Sequence, residues 1–324
     1  MIRYLVRKIL FYSNLQFLDR FVFSIPAKLT NSRYLKFDYF YYLLHCGTLN
    51  HHYIRFLRKN DFVSANNKKI EWAKFILDSS KNEYEKLVAN HYLSLLSKYG
   101  YIQSISYKDR FIKSLKKKSE KSFYLYGPNS KHPLNLNYIN CTIILTKDIK
   151  DDIDEYIDSI LFMNSIYYQK KLRGDIKKKN QLLKKYGKIF VSSMLPIQDK
   201  EFDQSLMPPS SELCGAMALG RVLYNLINAN GSFNCIIEGY DFFLALDAYS
   251  KNYPTLSRKD NKIDEEIVVQ SLSDHDLLYN FLFVKELIQY INIVDSHNFK
   301  EITRMTGDEY MEKLSLARDF TKLK

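Results

Sequence analysis

The chain has 324 residues, of which 46% are hydrophobic and 26% charged, with only 10 glycines and 7 prolines. That make-up fits a folded globular protein and excludes collagen-like or long Gly/Pro-rich linker architectures. The net charge of +12 is concentrated: residues 1–120 hold 22 Lys+Arg against 9 Asp+Glu, a difference of +13, while residues 121–324 hold 26 against 27, a difference of −1.

The N-terminal third reads as helical. In Met1-Ile-Arg-Tyr-Leu-Val-Arg-Lys-Ile-Leu-Phe-Tyr12, Ile2, Leu5, Ile9 and Tyr12 share one helical face with Arg3, Arg7 and Lys8 beside it. The embedded charge argues against a secretory signal, and no stretch reaches about 18 uninterrupted apolar residues, so no membrane-spanning helix is expected. Segments near 34–46, 48–59, 68–78 and 82–99 repeat the helical pattern, and Gly100 stands where the last would stop. A basic helical region over 1–118 is suited to anionic lipid headgroups or an acidic partner. Nucleic acid is disfavoured because no RNA-binding signature accompanies the charge. Lys116-Lys-Lys-Ser-Glu-Lys121 reads as a solvated helix end at the junction with a second region, 119–324.

Beyond that junction the character changes. Ser122-Phe-Tyr-Leu-Tyr126, Cys141-Thr-Ile-Ile-Leu-Thr146, Lys188-Ile-Phe-Val-Ser192 and Phe233-Asn-Cys-Ile-Ile-Glu238 read as strands, and Ser159 to Tyr168 as a helix or a further strand. Ser211 to Asn228 and Asp276 to Tyr290 read as helices, the latter amphipathic with Leu277, Leu278, Phe281, Leu282 and Leu287 on its core face. Alternation of this kind predicts an α/β fold with a mostly parallel sheet. Its chemistry belongs in the turns beyond the carboxyl ends of the strands, after residues 126, 146, 192 and 238.

Four constellations lie at such places. Gly127-Pro128-Asn129 follows a strand directly, either as a tight βα turn or as a backbone cradle for phosphate. Glu238-Gly239-Tyr240-Asp241 repeats the arrangement, with an acid positioned to hold a ribose hydroxyl. Ser210 and Ser211 open a helix, either as caps or as part of an anion site. Asp274-His275-Asp276 offers a general base flanked by acids, an Asp-x-Asp metal pair, or a helix cap. The four cysteines, Cys46, Cys141, Cys214 and Cys235, have no metal-ligand spacing and read as reduced structural thiols of a cytoplasmic protein.

In order, these pieces resemble the bacterial sialyltransferases of glycosyltransferase family 42, over about residues 122–295. The family's Asn-Gly-Pro-Ser turn is similar to Tyr126-Gly127-Pro128-Asn129. Its helix opening with Thr-Ser-Gly is similar to Ser210-Ser211-Glu212. Its strand ending Ser-Gly-Ile-Asp-Phe-Tyr is similar to Glu238-Gly239-Tyr240-Asp241-Phe242-Phe243. The resemblance implies a Rossmann-like sheet of GT-A-variant type, flanked by helices and preceded here by the helical region. It implies a metal-independent, cofactor-free transfer of a sialic-acid-like 2-keto sugar acid from a CMP donor to a glycan or glycolipid acceptor, in capsule or lipooligosaccharide synthesis at the inner membrane face. It assigns catalysis to His275, Asp276 and Tyr249, and nucleotide binding to Gly127, Pro128, Asn129, Thr146, Ser210, Ser211, Gly239 and Asp241. Two departures stand out. Phe243 has lost the hydroxyl of the family's second phosphate-binding tyrosine, and His275-Asp276 occupies the family's Thr-Asp position, with no histidine just upstream. A metal-dependent UDP- or GDP-sugar transferase using Asp274 and Asp276, and a non-enzymatic helical-array binding protein, are the rival expectations.

Overall fold

The computed structural model describes residues 66–67, 70–71, 73–74, 77–78, 83–102, 118–130, 141–146, 158–164, 175–192, 203–204, 217–245 and 276–317. The expected helices at 2–12, 34–46 and 48–59 lie outside these residues, as do Asp274, His275, Tyr249, Ser210 and Ser211.

Among the described residues the elements run, in chain order, α1 (Glu83–Lys98), β1 (Lys118–Tyr126), β2 (Thr142–Leu145), β3 (Ser159–Asn164), α2 (Ile176–Tyr186), β4 (Lys188–Ser192), β5 (Asp203–Gln204), α3 (Ala218–Asn230), β6 (Ser232–Glu238), α4 (Leu277–Leu287), β7 (Asn292–Ile293), α5 (His297–Arg304) and α6 (Gly307–Ala317). A short 3-10 turn, Ile288–Tyr290, joins α4 to β7. The strands form one sheet in the order β5-β4-β3-β2-β1-β6-β7. Every neighbouring pair is parallel. The α/β expectation holds, and within the segment expected at 159–168 Ser159–Asn164 is a strand.

Side chains alternate across the sheet, and both faces are covered. Phe123, Leu125, Ile144, Phe162, Cys235 and Ile237 point to a large core shared with α1, α3, α4 and α6. Tyr124, Ile143, Leu145, Leu161, Ile189, Val191 and Ile236 point the other way, onto Leu182 and Tyr186 of α2. Burial on both faces explains why the inner strands read as continuous apolar runs rather than as alternating ones.

The charge run at 116–121 does not end a helix. Lys118 is already in β1, paired with Ser232, and the register is irregular between Lys118 and Ser122. Glu120 and Lys121 stay exposed there, so the strand begins in solvent and enters the core at Phe123.

Helix α4 is not amphipathic in place. All but one of its residues are buried, because α1, α3 and α6 pack around it. Gly220 permits the closest approach: a Cβ there would lie 2.8 Å from Phe283 Cδ1 of α4. Helix α1 belongs to the same core through Val88, Ala89, Tyr92, Leu93 and Leu96, so packing continues across the sequence junction near residue 118. Lys98 and Tyr99 (the latter at 2.8 Å) both reach the buried Glu286 of α4. Gly100, at φ +76°, ends α1 as expected.

Candidate functional site

Strand β1 sits at the point where the chain changes direction across the sheet. From β1 the chain moves outward through β2, β3, β4 and β5, then returns to the opposite flank of β1 with β6 and β7. In open parallel sheets, the crevice outside the carboxyl ends of the strands at such a switch point is where ligands bind. Register places Tyr126 of β1 beside Glu238 of β6. The turns Gly127–Ser130 and Gly239–Asp241 therefore leave the sheet side by side.

The two turns interlock. Gly127 N donates to Glu238 O (2.8 Å), Asn129 N to Gly239 O (3.0 Å) and Ser130 N to Gly127 O (3.3 Å). The Asn129 side-chain amide donates to Asp241 Oδ2 (2.6 Å). A Cβ on Gly127 would lie 2.6 Å from Gly239 O and 2.7 Å from Glu238 O. On Gly239, at φ +73°, it would lie 2.4 Å from Ser130 N. Both glycines are thus required by close backbone approach, and Gly239 by its left-handed conformation as well.

The amides of Gly127, Asn129 and Ser130 are spent on the neighbouring turn or within their own, and Pro128 has none. The two turns also touch each other rather than flanking an open slot.

Asp241 is the hub of the second turn. Its Oδ1 accepts from Phe243 N (3.0 Å), and its Oδ2 accepts from Ala245 N (3.3 Å) as well as from Asn129. It holds two consecutive phenylalanines, Phe242 and Phe243, in the left-handed region at φ 52° and 65°. Such a conformation costs roughly 1–2 kcal/mol per non-glycine residue. It is offset by burial of both rings and by the Tyr310 hydroxyl, which donates to Phe242 O at 3.0 Å. Burial, with the nearby Asp241 and Asp276, pushes the Tyr310 phenol well above its ordinary range.

A third turn joins the pair. Thr146, just past β2, bonds the Tyr240 hydroxyl through Oγ1 (3.0 Å). The Tyr240 ring lies against Gly127, with Cε2 2.6 Å from where a Cβ would sit. Tyr240 therefore straps the carboxyl end of β1, from the β6 turn across to the β2 turn.

Of the expected site residues, Gly127, Pro128, Asn129, Thr146, Gly239 and Asp241 are brought together. Asp276 is turned inward. It is 1% exposed, caps α4 by accepting from Tyr279 N (3.0 Å), and lies 3.4 Å from the Tyr92 hydroxyl. Helix α3 begins at Ala218, with Met217 as its extended N-cap; the start expected at Ser211 lies outside the described residues. Met217 N donates to Asn280 Oδ1 (2.6 Å), and Asn280 Nδ2 donates to Asp276 O (2.7 Å). The N-termini of α3 and α4 are thereby tied together. Because α3 reverses directly into β6 at Gly231, its N-terminus points to the carboxyl edge of the sheet.

Sequence reading missed the parts played by Tyr240, Ser130, Tyr124 and Glu238. Glu238 Oε2 accepts the hydroxyl of the fully buried Tyr124. Glu238 Oε1 and the hydroxyl of Ser130 are buried atoms with no hydrogen-bond partner among the described residues. The available signal was position: Glu238 is the first acid after the apolar run of β6. Among the described residues, no group of three or more His, Cys, Asp or Glu side chains is placed to hold a metal, and no helix is long and apolar enough to cross a membrane.

The class defined is a parallel α/β sheet covered on both faces, with three turns meeting at its switch point. Comparisons with family models, with curated proteins and with solved structures return no match.

Proposed function

We propose that the chain is a glycosyltransferase that binds a nucleotide-activated sugar on the rim of the β1/β6 switch point. The observation that carries this reading is the convergence of the Gly127, Thr146 and Gly239 turns at the one edge of a parallel sheet where nucleotides characteristically bind. The N-terminus of α3, where the N-cap Met217 makes no side-chain capping bond, adds a positive dipole end to that edge, which suits a phosphate. The sheet is then of the Rossmann-like, GT-A-variant type. The donor is a CMP-activated, sialic-acid-like sugar, and the acceptor a cell-surface glycan or glycolipid.

In this reading the acceptor hydroxyl oxygen bonds to the anomeric carbon as the bond from that carbon to the CMP phosphate oxygen breaks. His275 takes the hydroxyl proton, and Tyr249 steadies the departing phosphate. Asp276 serves as the cap that fixes the end of α4, next in sequence to His275. The basic residues of 1–118 favour the anionic inner face of a membrane, each Lys or Arg near the surface contributing about 1 kcal/mol. The metal-dependent rival is less well supported, because the Asp276 carboxylate is buried and engaged by Tyr279 and Tyr92.

A thermal-shift panel of CMP, CDP, UDP and GDP, each with and without EDTA, tests this. A ligand at about 100 times its Kd stabilises the folded state by about 2.7 kcal/mol, a rise of several degrees in Tm. Stabilisation by CMP that survives EDTA is the expected result. Stabilisation only by UDP or GDP, and only with a divalent cation, replaces this reading with the metal-dependent one. No response to any nucleotide refutes both.

A further inference from the structure

Asp241, the acid the sequence offers for a ribose, has little acceptor capacity left: Asn129, Phe243 N and Ala245 N already donate to its carboxylate. Glu238 is the opposite case. It is the last residue of β6, lies beside Tyr126 on β1, and hands its backbone carbonyl to Gly127 N. One carboxylate oxygen is fixed by Tyr124, whose ring is 0% exposed and cannot swing away. The other, Oε1, is buried with no donor among the described residues. A buried acceptor left without a donor costs about 1–3 kcal/mol, so a native fold retains one where a ligand or solvent completes it. The geometry is that of a preorganised acceptor: orientation set by Tyr124, one oxygen held and the other, at the end of β6, left without a donor among the described residues.

We propose that Glu238, positioned by Tyr124, is the residue that accepts the ribose hydroxyls of the bound nucleotide, in place of Asp241. This deepens the nucleotide reading above and rests on it. A carboxylate between strand ends at a switch point is suited to a vicinal diol, which offers two O–H donors and no charge to repel. The ligand class is therefore a ribonucleotide rather than a deoxyribonucleotide. Tyr124 is a positioning residue; Glu238 is the contact.

The test is equilibrium binding of CMP, CDP, UDP and GDP, each beside its 2′-deoxy counterpart, to the full chain and to Glu238→Gln and Tyr124→Phe. Unfolding midpoints of the ligand-free proteins are measured alongside. For whichever nucleotide the unaltered protein binds, the ribo form should bind about tenfold more tightly than the deoxy form, the worth of one hydrogen bond to a charged group. Glu238→Gln should lose that discrimination while keeping its unfolding midpoint, and Tyr124→Phe should reduce it. Full ribose discrimination in Glu238→Gln overturns the assignment but leaves nucleotide binding standing. Equal binding of ribo and deoxy forms by the unaltered protein does the same. Absence of binding by all eight nucleotides overturns both this assignment and the function on which it rests.

Discussion

Gly100 and Gly239 have nearly the same backbone, φ +76° and +73°, but different surroundings, and replacing each by alanine separates two costs. At Gly100 a Cβ meets nothing within 4 Å. Gly100→Ala therefore carries only the left-handed penalty, roughly 1–2 kcal/mol. At Gly239 the same methyl lies 2.2 Å from Ser130 Oγ, 2.4 Å from Ser130 N and 2.9 Å from Gly127 O. The serine hydroxyl can rotate, but the amide and the carbonyl are backbone atoms of the neighbouring turn. Relief requires the β1 and β6 turns to part, an overpacking cost of about 1–3 kcal/mol on top of the first. Gly239→Ala should thus lose roughly 2–5 kcal/mol. Urea unfolding with unchanged slope reads both variants directly. Equal midpoint shifts for Gly100→Ala and Gly239→Ala would refute the interlocked turns.

Three further outcomes follow from the same contacts. His91 lies edge-on to the Tyr279 and Phe283 rings, and complete burial lowers its pKa to about 3 from 6.5. The unfolded chain therefore binds a proton that the folded chain refuses. Stability falls as pH drops below about 6.5, by about 1.4 kcal/mol per pH unit. Urea titrations at several pH values should show that slope reduced in His91→Gln, and an unchanged slope would place the proton elsewhere. At Asp276, asparagine caps nearly as well as aspartate, so Asp276→Asn should be mild and Asp276→Ala should lose about 1–2 kcal/mol in thermal unfolding; equal losses would contradict the capping role. A double-mutant cycle on Asn129→Ala and Asp241→Ala should give a coupling of about 1 kcal/mol or more, and zero coupling would remove the brace between the turns.

The strands with continuous apolar cores, such as Thr142–Leu145 and Ser232–Glu238, were legible because both faces of the sheet are covered. Strands β5 and β7, two residues each, carry too little pattern to be seen. Helix α2 escaped because lysines outnumber its apolar residues, and only Lys179, Leu182 and Tyr186 are buried. The meeting place of the turns was legible, since a glycine directly after a buried strand marks a turn at the carboxyl edge. The roles within it were not. Whether Asp241 faces a ligand or a neighbouring turn depends on Asn129, distant in sequence. Whether Asp276 holds a metal or a helix depends on Tyr92 of α1. Those partners are set by strand order, which no local pattern encodes.

Hydrogen–deuterium exchange with and without saturating CMP tests the central claim most directly. The account predicts that protection on binding concentrates in 126–130, around 146, and in 238–245, the three turns at the end of β1. Protection confined to other parts of the chain, or none at a concentration that raises the melting temperature, would contradict it.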